Sequence, residues 1–213
     1  MWPRDTSGAA RSLPEEGIEA LSLLFLPNDD ELDQVEGWLS LDEGRRLAFL
    51  AWSVPAHLAI VELGSWKGKS TAWLASGSRL GNRARVFAVD HWVGSEEHRH
   101  LFWEPGASTF PEFKANMAWL GLEDLVTPIS GRTVEVAATW DRDIGLLFID
   151  AAHDYESVRA DFLAWSPFVV RGGWVAFHDA GAPGVSQVIR EFVEGSGEWL
   201  GDSTWPPWAA KRL

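Results

Sequence analysis

Short, continuously apolar runs alternate along this chain with amphipathic helical stretches, and each run stops at a small or acidic residue. The runs are AIVELG (59–64), RVFAVD (85–90), VTPIS (126–130), GLLFID (145–150) and GGWVAFHD (172–179). A strand with one wet face alternates apolar and polar residues; a strand apolar throughout is covered on both faces, which is the mark of a parallel sheet between two helical layers. The intervening stretches have helical spacing. One starts at Ser40, where Glu43 three residues on completes a capping box before Leu47, Phe49, Leu50 and Trp52, and it stops at Pro55. Others run over 70–80, over 111–121 to Gly121, over 155–169 with Val158, Phe162 and Trp165 on one face, and over 184–195. The expected fold is α/β, a doubly wound and mostly parallel sheet. Its ligand site then lies beyond the carboxyl ends of the strands. Those ends carry Glu62–Gly64, Asp90, Ser130–Gly131, Asp150 and His178–Asp179.

Composition narrows the function classes. With 31 Asp and Glu against 18 Lys and Arg, the net charge of -13 repels a phosphate backbone, so nucleic acid is not an expected partner. The absence of cysteine excludes disulfides, thiolate metal sites and a cysteine nucleophile, and suits a reducing, cytoplasmic location. No basic region followed by an apolar core stands at the N-terminus, so export is not expected. The longest apolar stretch, Leu47 to Leu63, is broken by Ser53, Pro55, His57 and Glu62, which argues against a membrane span. Residues 1–36 read as a lead-in and helical extension, and 37–213 as one domain; the helical segment 16–38 offers a surface for a homodimer.

The first strand-to-helix turn, Glu62 to Thr71, admits three readings. A dinucleotide fingerprint needs glycine where Trp66 stands, and its bulk bars a pyrophosphate. A phosphate loop matches Gly68-Lys69-Ser70, with LLFID as its aspartate strand, and would make the chain an ATP-dependent kinase or NTPase. Against it, Gly64 and Gly68 enclose three residues where that loop needs four. The third reading is an S-adenosylmethionine turn, in which an acid ends the strand and small residues, Gly64 and Ser65, let the backbone meet the methionine end. Asp90 favours a nucleoside ligand, because it ends the next strand 26 residues after Gly64, near the offset of about 20 at which an acid meets ribose hydroxyls. His91 and Trp92 follow, and an aromatic there can lie against adenine. Asp90 as a plain turn aspartate and Trp92 as core are the competing structural roles.

A second cluster comprises Asp150, His153, His178 and Asp179. Strands four and five are neighbours in most doubly wound sheets, so their ends converge, and two carboxylates with an imidazole suit a divalent metal of the Mg²⁺ or Mn²⁺ class on Asp150, His178 and Asp179. His153, three residues past Asp150, is placed to take a substrate proton as the catalytic base. The competing roles are a helix cap for Asp179 and a buried structural ring for His178. Of 14 tryptophans, Trp119, Trp165 and Trp174 fall in core patterns, whereas Trp66, Trp92 and Trp103 are candidates for a pocket. The stretch 91–110 reads as a long loop over the cleft, a lid or an insertion, whose His98 and His100 are weak metal candidates.

Taken together, VELGSWKGKST, VFAVDHW, FIDAAHDYESVRADFLAWSPFVVRGGWVAFHDA and the closing WAAKRL resemble the class I S-adenosylmethionine-dependent methyltransferases. The resemblance is to a small bacterial group akin to metal-dependent O-methyltransferases of natural-product sugars and, more distantly, to catechol O-methyltransferase. It implies a Rossmann-like seven-stranded sheet whose last strands lie near 198–203 and 208–213. It also implies that Glu62, Gly64 and Ser70 hold the methionine end of S-adenosyl-L-methionine, that Asp90 binds ribose, and that His91, Ser130 and Gly131 border adenine. Asp150 and Asp179 match metal positions of that group, His178 adjoins them, and His153 matches its catalytic position. The implied substrate is a hydroxylated small molecule, a sugar or a phenol. A metal-dependent oxidative enzyme or a cofactor-binding scaffold on the same fold is the further alternative.

Overall fold

The computed structural model describes residues 28–94, 107–202 and 206–213. The lead-in, Trp103, His98 and His100 lie outside the described residues, as does most of the 91–110 loop. In chain order the elements are α1 (Asp29–Gln34), α2 (Leu41–Ser53), β1 (Ala59–Leu63), α3 (Lys69–Leu80), β2 (Val86–Asp90), α4 (Phe110–Trp119), β3 (Val126–Ser130) and α5 (Thr133–Ala137). Then come β4 (Ile144–Ile149), α6 (Tyr155–Trp165), β5 (Val169–Phe177), α7 (Pro183–Val188), β6 (Trp199–Asp202) and β7 (Trp208–Arg212).

The strands form one seven-stranded sheet in the order β3-β2-β1-β4-β5-β7-β6. Pairing is parallel from β3 to β5, and β7 runs antiparallel to both β5 and β6. Alternate residues of the inner strands β1, β2 and β4 enter different cores. Ile60, Ala88, Leu146 and Phe148 meet α2, α3 and α4 on one face, together with Trp73, Phe113 and Met117. Val61, Leu63, Val89, Leu147 and Ile149 meet α6 and α7 on the other, together with Phe162 and Trp165. Both faces of these strands are thus dry, as continuous apolar runs require, whereas the edge strand β3 leaves Pro128 and Ser130 exposed. Leu32 and Val35, on and just after α1, join the first of these cores.

The capping box at the start of α2 is present in full: Ser40 accepts from the Glu43 amide while the Glu43 carboxylate accepts from the Ser40 amide. Four expectations need correction. The helix expected over 155–169 stops at Trp165, because Pro167 in the 3-10 turn Ser166–Phe168 has no amide to continue the ladder. β5 consequently starts at Val169, before the glycine pair from which it was expected. The helix over 184–195 changes after Val188 to a π-helical turn, Ile189–Glu194. Trp119 is not core but 53% exposed. The buried stripe of α4 is Phe113 and Met117, one turn apart, and Trp119 stands two residues from Met117, roughly 200° round the helix.

The order of strands reverses between β1 and β4, which are neighbours in the sheet although α3 leaves β1 toward one side and the chain reaches β4 from the other. A crevice opens at such a switch point. Gly64 hydrogen-bonds to the Val89 carbonyl and Asp150 to the Leu63 carbonyl, so the chain segments leaving β1, β2 and β4 are tied together at its floor.

Candidate active site

The crevice is a cavity of ≈ 1090 Å³. A pocket for one drug-sized ligand is roughly 300–1,000 Å³, so this one has room for a nucleoside cofactor and an acceptor together. Gly64, Asp90, Gly131, Asp150, His153 and Asp179 all face it.

At one end is the β1–α3 turn. Gly64 has φ 85°, and a Cβ there would stand 2.4 Å from the Asp150 carbonyl oxygen, so both the conformation and the crowding demand glycine. Gly68 has φ 90°, and its Cβ would meet Met117 and Phe113. The glycine spacing that mimics a phosphate loop is therefore set by backbone conformation and by packing. Lys69, the lysine of that mimic, has its ammonium 3.0 Å from Asp33 Oδ1.

Asp90 closes the turn from the next strand. Its Oδ2 accepts the Ser65 amide at 2.8 Å and the Trp66 amide at 2.9 Å, and its Oδ1 accepts the Trp92 amide at 2.6 Å. Three of its roughly four lone-pair sites are used, and the one left is on Oδ1. The carboxylate is thus the staple that holds Trp66 and Trp92 at positive φ, 48° and 53°.

Glu62, Trp92 and Ser130 do not line the cavity. Glu62 is fully buried beneath the turn, where it accepts from Ser65 Oγ at 2.7 Å and from the Thr71 hydroxyl. Burial pushes its carboxyl up to about 7, only partly offset by the hydroxyls of Ser70, Thr71 and Ser65. The Trp92 ring is core, 2% exposed, with its centroid 4.5 Å from Phe110 and 5.4 Å from Phe113. Ser130 is exposed on the edge strand β3. Ser65, Ser70, His91 and Trp66 do border the cavity, Trp66 beside Trp38 with ring centroids 5.4 Å apart.

At the other end the ends of β4 and β5 meet. Ile149 pairs with Phe177, so Asp150 and His178 leave the sheet at one level. Asp179, at φ 47°, turns the chain back. His178 Nδ1 stands 3.2 Å from Asp150 Oδ1 and 2.9 Å from Asp179 Oδ2. His153 Nε2 is 3.0 Å from Asp179 Oδ2 and 4.0 Å from Asp150 Oδ1. Donor atoms of all four residues lie within 4.8 Å of one another. Around an octahedral ion with bonds near 2.1 Å, adjacent donors stand about 3 Å apart and opposite ones about 4.2 Å apart. Two carboxylates and two imidazoles at these spacings fit a divalent transition-metal cation such as Mn²⁺ or Fe²⁺ better than Mg²⁺, which prefers oxygen ligands alone.

Two participants were not foreseen. Glu43, expected only as a helix cap, has Oε1 3.5 Å from His178 Nε2. Partial burial works against its charge, but His178 and Ser40 hold it down to about 2. Burial lowers His178 in turn, yet Asp150 and Glu43 outweigh it and raise the ring to about 11. Burial pushes Asp150 above its ordinary value. Asp161, on α6, borders the cavity at 3% exposure and accepts from the Thr133 hydroxyl. No local motif marks the contact that each makes at the site, because the partner lies 135 residues away for Glu43 and 28 for Asp161.

Comparison with known proteins gives consistent findings. The family described as "Methyltransferase domain" matches residues 61–180, more than half of the chain. An O-methyltransferase from Bacillus cereus, solved in complex with SAH, superposes with a TM-score of 0.64 at 20% identity, over 92% of this chain and 97% of that one. The apo structure of CalS11, a TDP-rhamnose 3'-O-methyltransferase of calicheamicin biosynthesis, superposes at 0.62 with 19% identity, over 99% of both chains. A putative rRNA methylase from Clostridium thermocellum superposes at 0.56 with 17% identity, over 80% of this chain and 96% of that one. At these identities the likeness is one of fold.

Proposed function

The chain belongs to the methyltransferase-domain family and is a class I S-adenosylmethionine-dependent methyltransferase, and from its site we propose that it methylates a hydroxyl oxygen of a small molecule with help from a divalent cation. One observation carries the reading. The nucleoside-type turn, with Gly64 and Asp90, and the cluster of Asp150, His153, His178 and Asp179 open into the same cavity.

S-adenosylmethionine supplies a methyl group on a sulfonium leaving group, and a divalent cation supplies positive charge that acidifies a hydroxyl beside it. The Gly64–Ser65 backbone takes the methionine end, the remaining lone pair of Asp90 Oδ1 takes a ribose hydroxyl, and His91 and Gly131 border adenine. Asp150, His178 and Asp179 hold the cation. His153 removes the acceptor's proton at Nε2, which stands at the cavity 3.0 Å from Asp179 Oδ2, the carboxylate assigned to the cation. Alignment of acceptor oxygen and methyl carbon in one cleft lowers the entropy cost of a bimolecular displacement. A sugar or phenol suits the acceptor end, in line with the TDP-rhamnose 3'-O-methyltransferase activity of CalS11.

The test is calorimetry of the metal-stripped protein with S-adenosylmethionine, with ATP in parallel, followed by screening of hydroxylated acceptors with Mn²⁺ added. The expected result is micromolar binding of the sulfonium ligand alone, and turnover abolished by His153→Ala or Asp150→Asn with its affinity nearly unchanged. Binding of ATP alone refutes the reading, and undiminished turnover in either variant refutes that residue's role.

A further inference from the structure

We propose that Glu43 is a positioning residue for the cation cluster: the carboxylate that caps its own helix also fixes the His178 ring through Nε2, so that Nδ1 faces Asp150 and Asp179. The inference rests on the divalent-cation reading above and extends it to a residue of the N-terminal helical layer.

The two oxygens of Glu43 have different partners. Oε2 accepts the Ser40 amide at 2.9 Å and the Ser40 hydroxyl at 2.6 Å, which completes the capping box. Oε1 takes no part in the cap and faces His178 Nε2 at 3.5 Å. The cap thus removes the side chain's rotamer freedom before His178 is met.

His178 needs such a partner. Its ring follows a strand end and can rotate about Cβ–Cγ, which would swing Nδ1 away from Asp150 Oδ1 at 3.2 Å and Asp179 Oδ2 at 2.9 Å. Phe148 meets the ring edge-on, with centroids 6.4 Å apart and planes at 82°, and limits its tilt without choosing which nitrogen faces the cluster. An acceptor at Nε2 makes that choice. Both side chains are shielded, at 18% exposure for Glu43 and 8% for His178, so the contact acts in a medium of low dielectric. A histidine that ligates a metal through one nitrogen characteristically donates its other N–H to a carboxylate, and loss of that carboxylate typically costs 10- to 100-fold in metal affinity.

The experiment measures Mn²⁺ affinity by electron paramagnetic resonance in wild type, E43A, E43Q and S40A, together with the melting temperature of each. E43A is expected to weaken Mn²⁺ by about 10- to 100-fold. E43Q, whose single amide oxygen can serve the cap or His178 Nε2 but not both, is expected to fall between wild type and E43A in Mn²⁺ affinity. S40A melts earlier but keeps its Mn²⁺ affinity. Unchanged affinity in E43A overturns the proposal, and so does a loss in S40A equal to that in E43A, which would make the helix end the determinant. Nitrogen-15 spectra of the metal-free protein provide the second readout: a slowly exchanging His178 Nε2–H is expected in wild type and S40A and is lost in E43A. If wild type binds no Mn²⁺, the cation reading fails by itself, and this signal alone decides whether Glu43 holds the ring.

Discussion

Asp161→Asn should stabilise the protein at neutral pH. Asp161 is 3% exposed, and burial pushes its carboxyl from 3.8 up to about 6 although Thr133 donates to it. A folded-state value above the unfolded one means that the protonated side chain favours folding. That advantage is complete below the unfolded value near 3.8 and is lost as pH rises through about 6. Above that, the ionised carboxylate costs about 3 kcal/mol, at about 1.4 kcal/mol per pKa unit. Asparagine keeps the oxygen that accepts from Thr133 and carries no charge, so D161N escapes the cost. Urea unfolding of both proteins between pH 4.5 and 7.5 reads the difference directly. It should be small at pH 4.5, grow by about 1.4 kcal/mol per unit, and level off above pH 6, where the melting temperature is higher by about 6–12 °C for a chain of this size. A D161N protein no more stable than wild type at pH 7.5, or a difference independent of pH, refutes the reasoning.

Asp90→Asn leaves one oxygen where two carboxylate oxygens accepted three amides, so it should lose about 2–3 kcal/mol of stability and bind S-adenosylmethionine at least tenfold more weakly; an unchanged melting temperature and Kd would contradict the staple. Lys69→Ala, which removes a pair with Asp33 rather than a phosphate ligand, should leave S-adenosylmethionine affinity within about threefold, measured by the same calorimetry. Trp165→Ala should destabilise by about 3–5 kcal/mol and Trp119→Ala by less than about 1, because the first ring is fully buried and the second mostly exposed; equal losses in denaturant midpoint would count against the two placements.

Features carried by local chemistry were legible in the sequence. Continuous apolar runs mark β1, β2 and β4, since only a sheet covered on both faces tolerates them. The cap of α2 follows from two residues three apart. The convergence of Asp150 with His178–Asp179 follows from strand order alone. β5 began earlier than expected because Arg171 and two glycines look like a turn, whereas Val169 is held by its pairing with Ile144 on the neighbouring strand. α5 was missed because five residues carry too little periodicity to register. Trp92 misled because a ring next to a ribose-type aspartate suits either adenine or core, and its positive φ, which turns the ring toward Phe110 and Phe113, is visible only in three dimensions.

The antiparallel strand β7 also bears on the order in which the molecule can be completed. β7 lies between β5 and β6, so β6 is synthesised before the strand that gives it a place. Until residues 208–212 leave the ribosome, β5 has a bare edge along Trp174–Phe177, a template for pairing with another chain. Asp202 at the end of β6 pairs with Arg46 of α2 at 2.9 Å, in the same helix whose first turn carries Glu43. β7 is therefore the strand that brings Asp202 to this helix, and a nascent chain stalled after β6 would have most of its sheet, an adhesive edge and an Arg46 without its carboxylate partner.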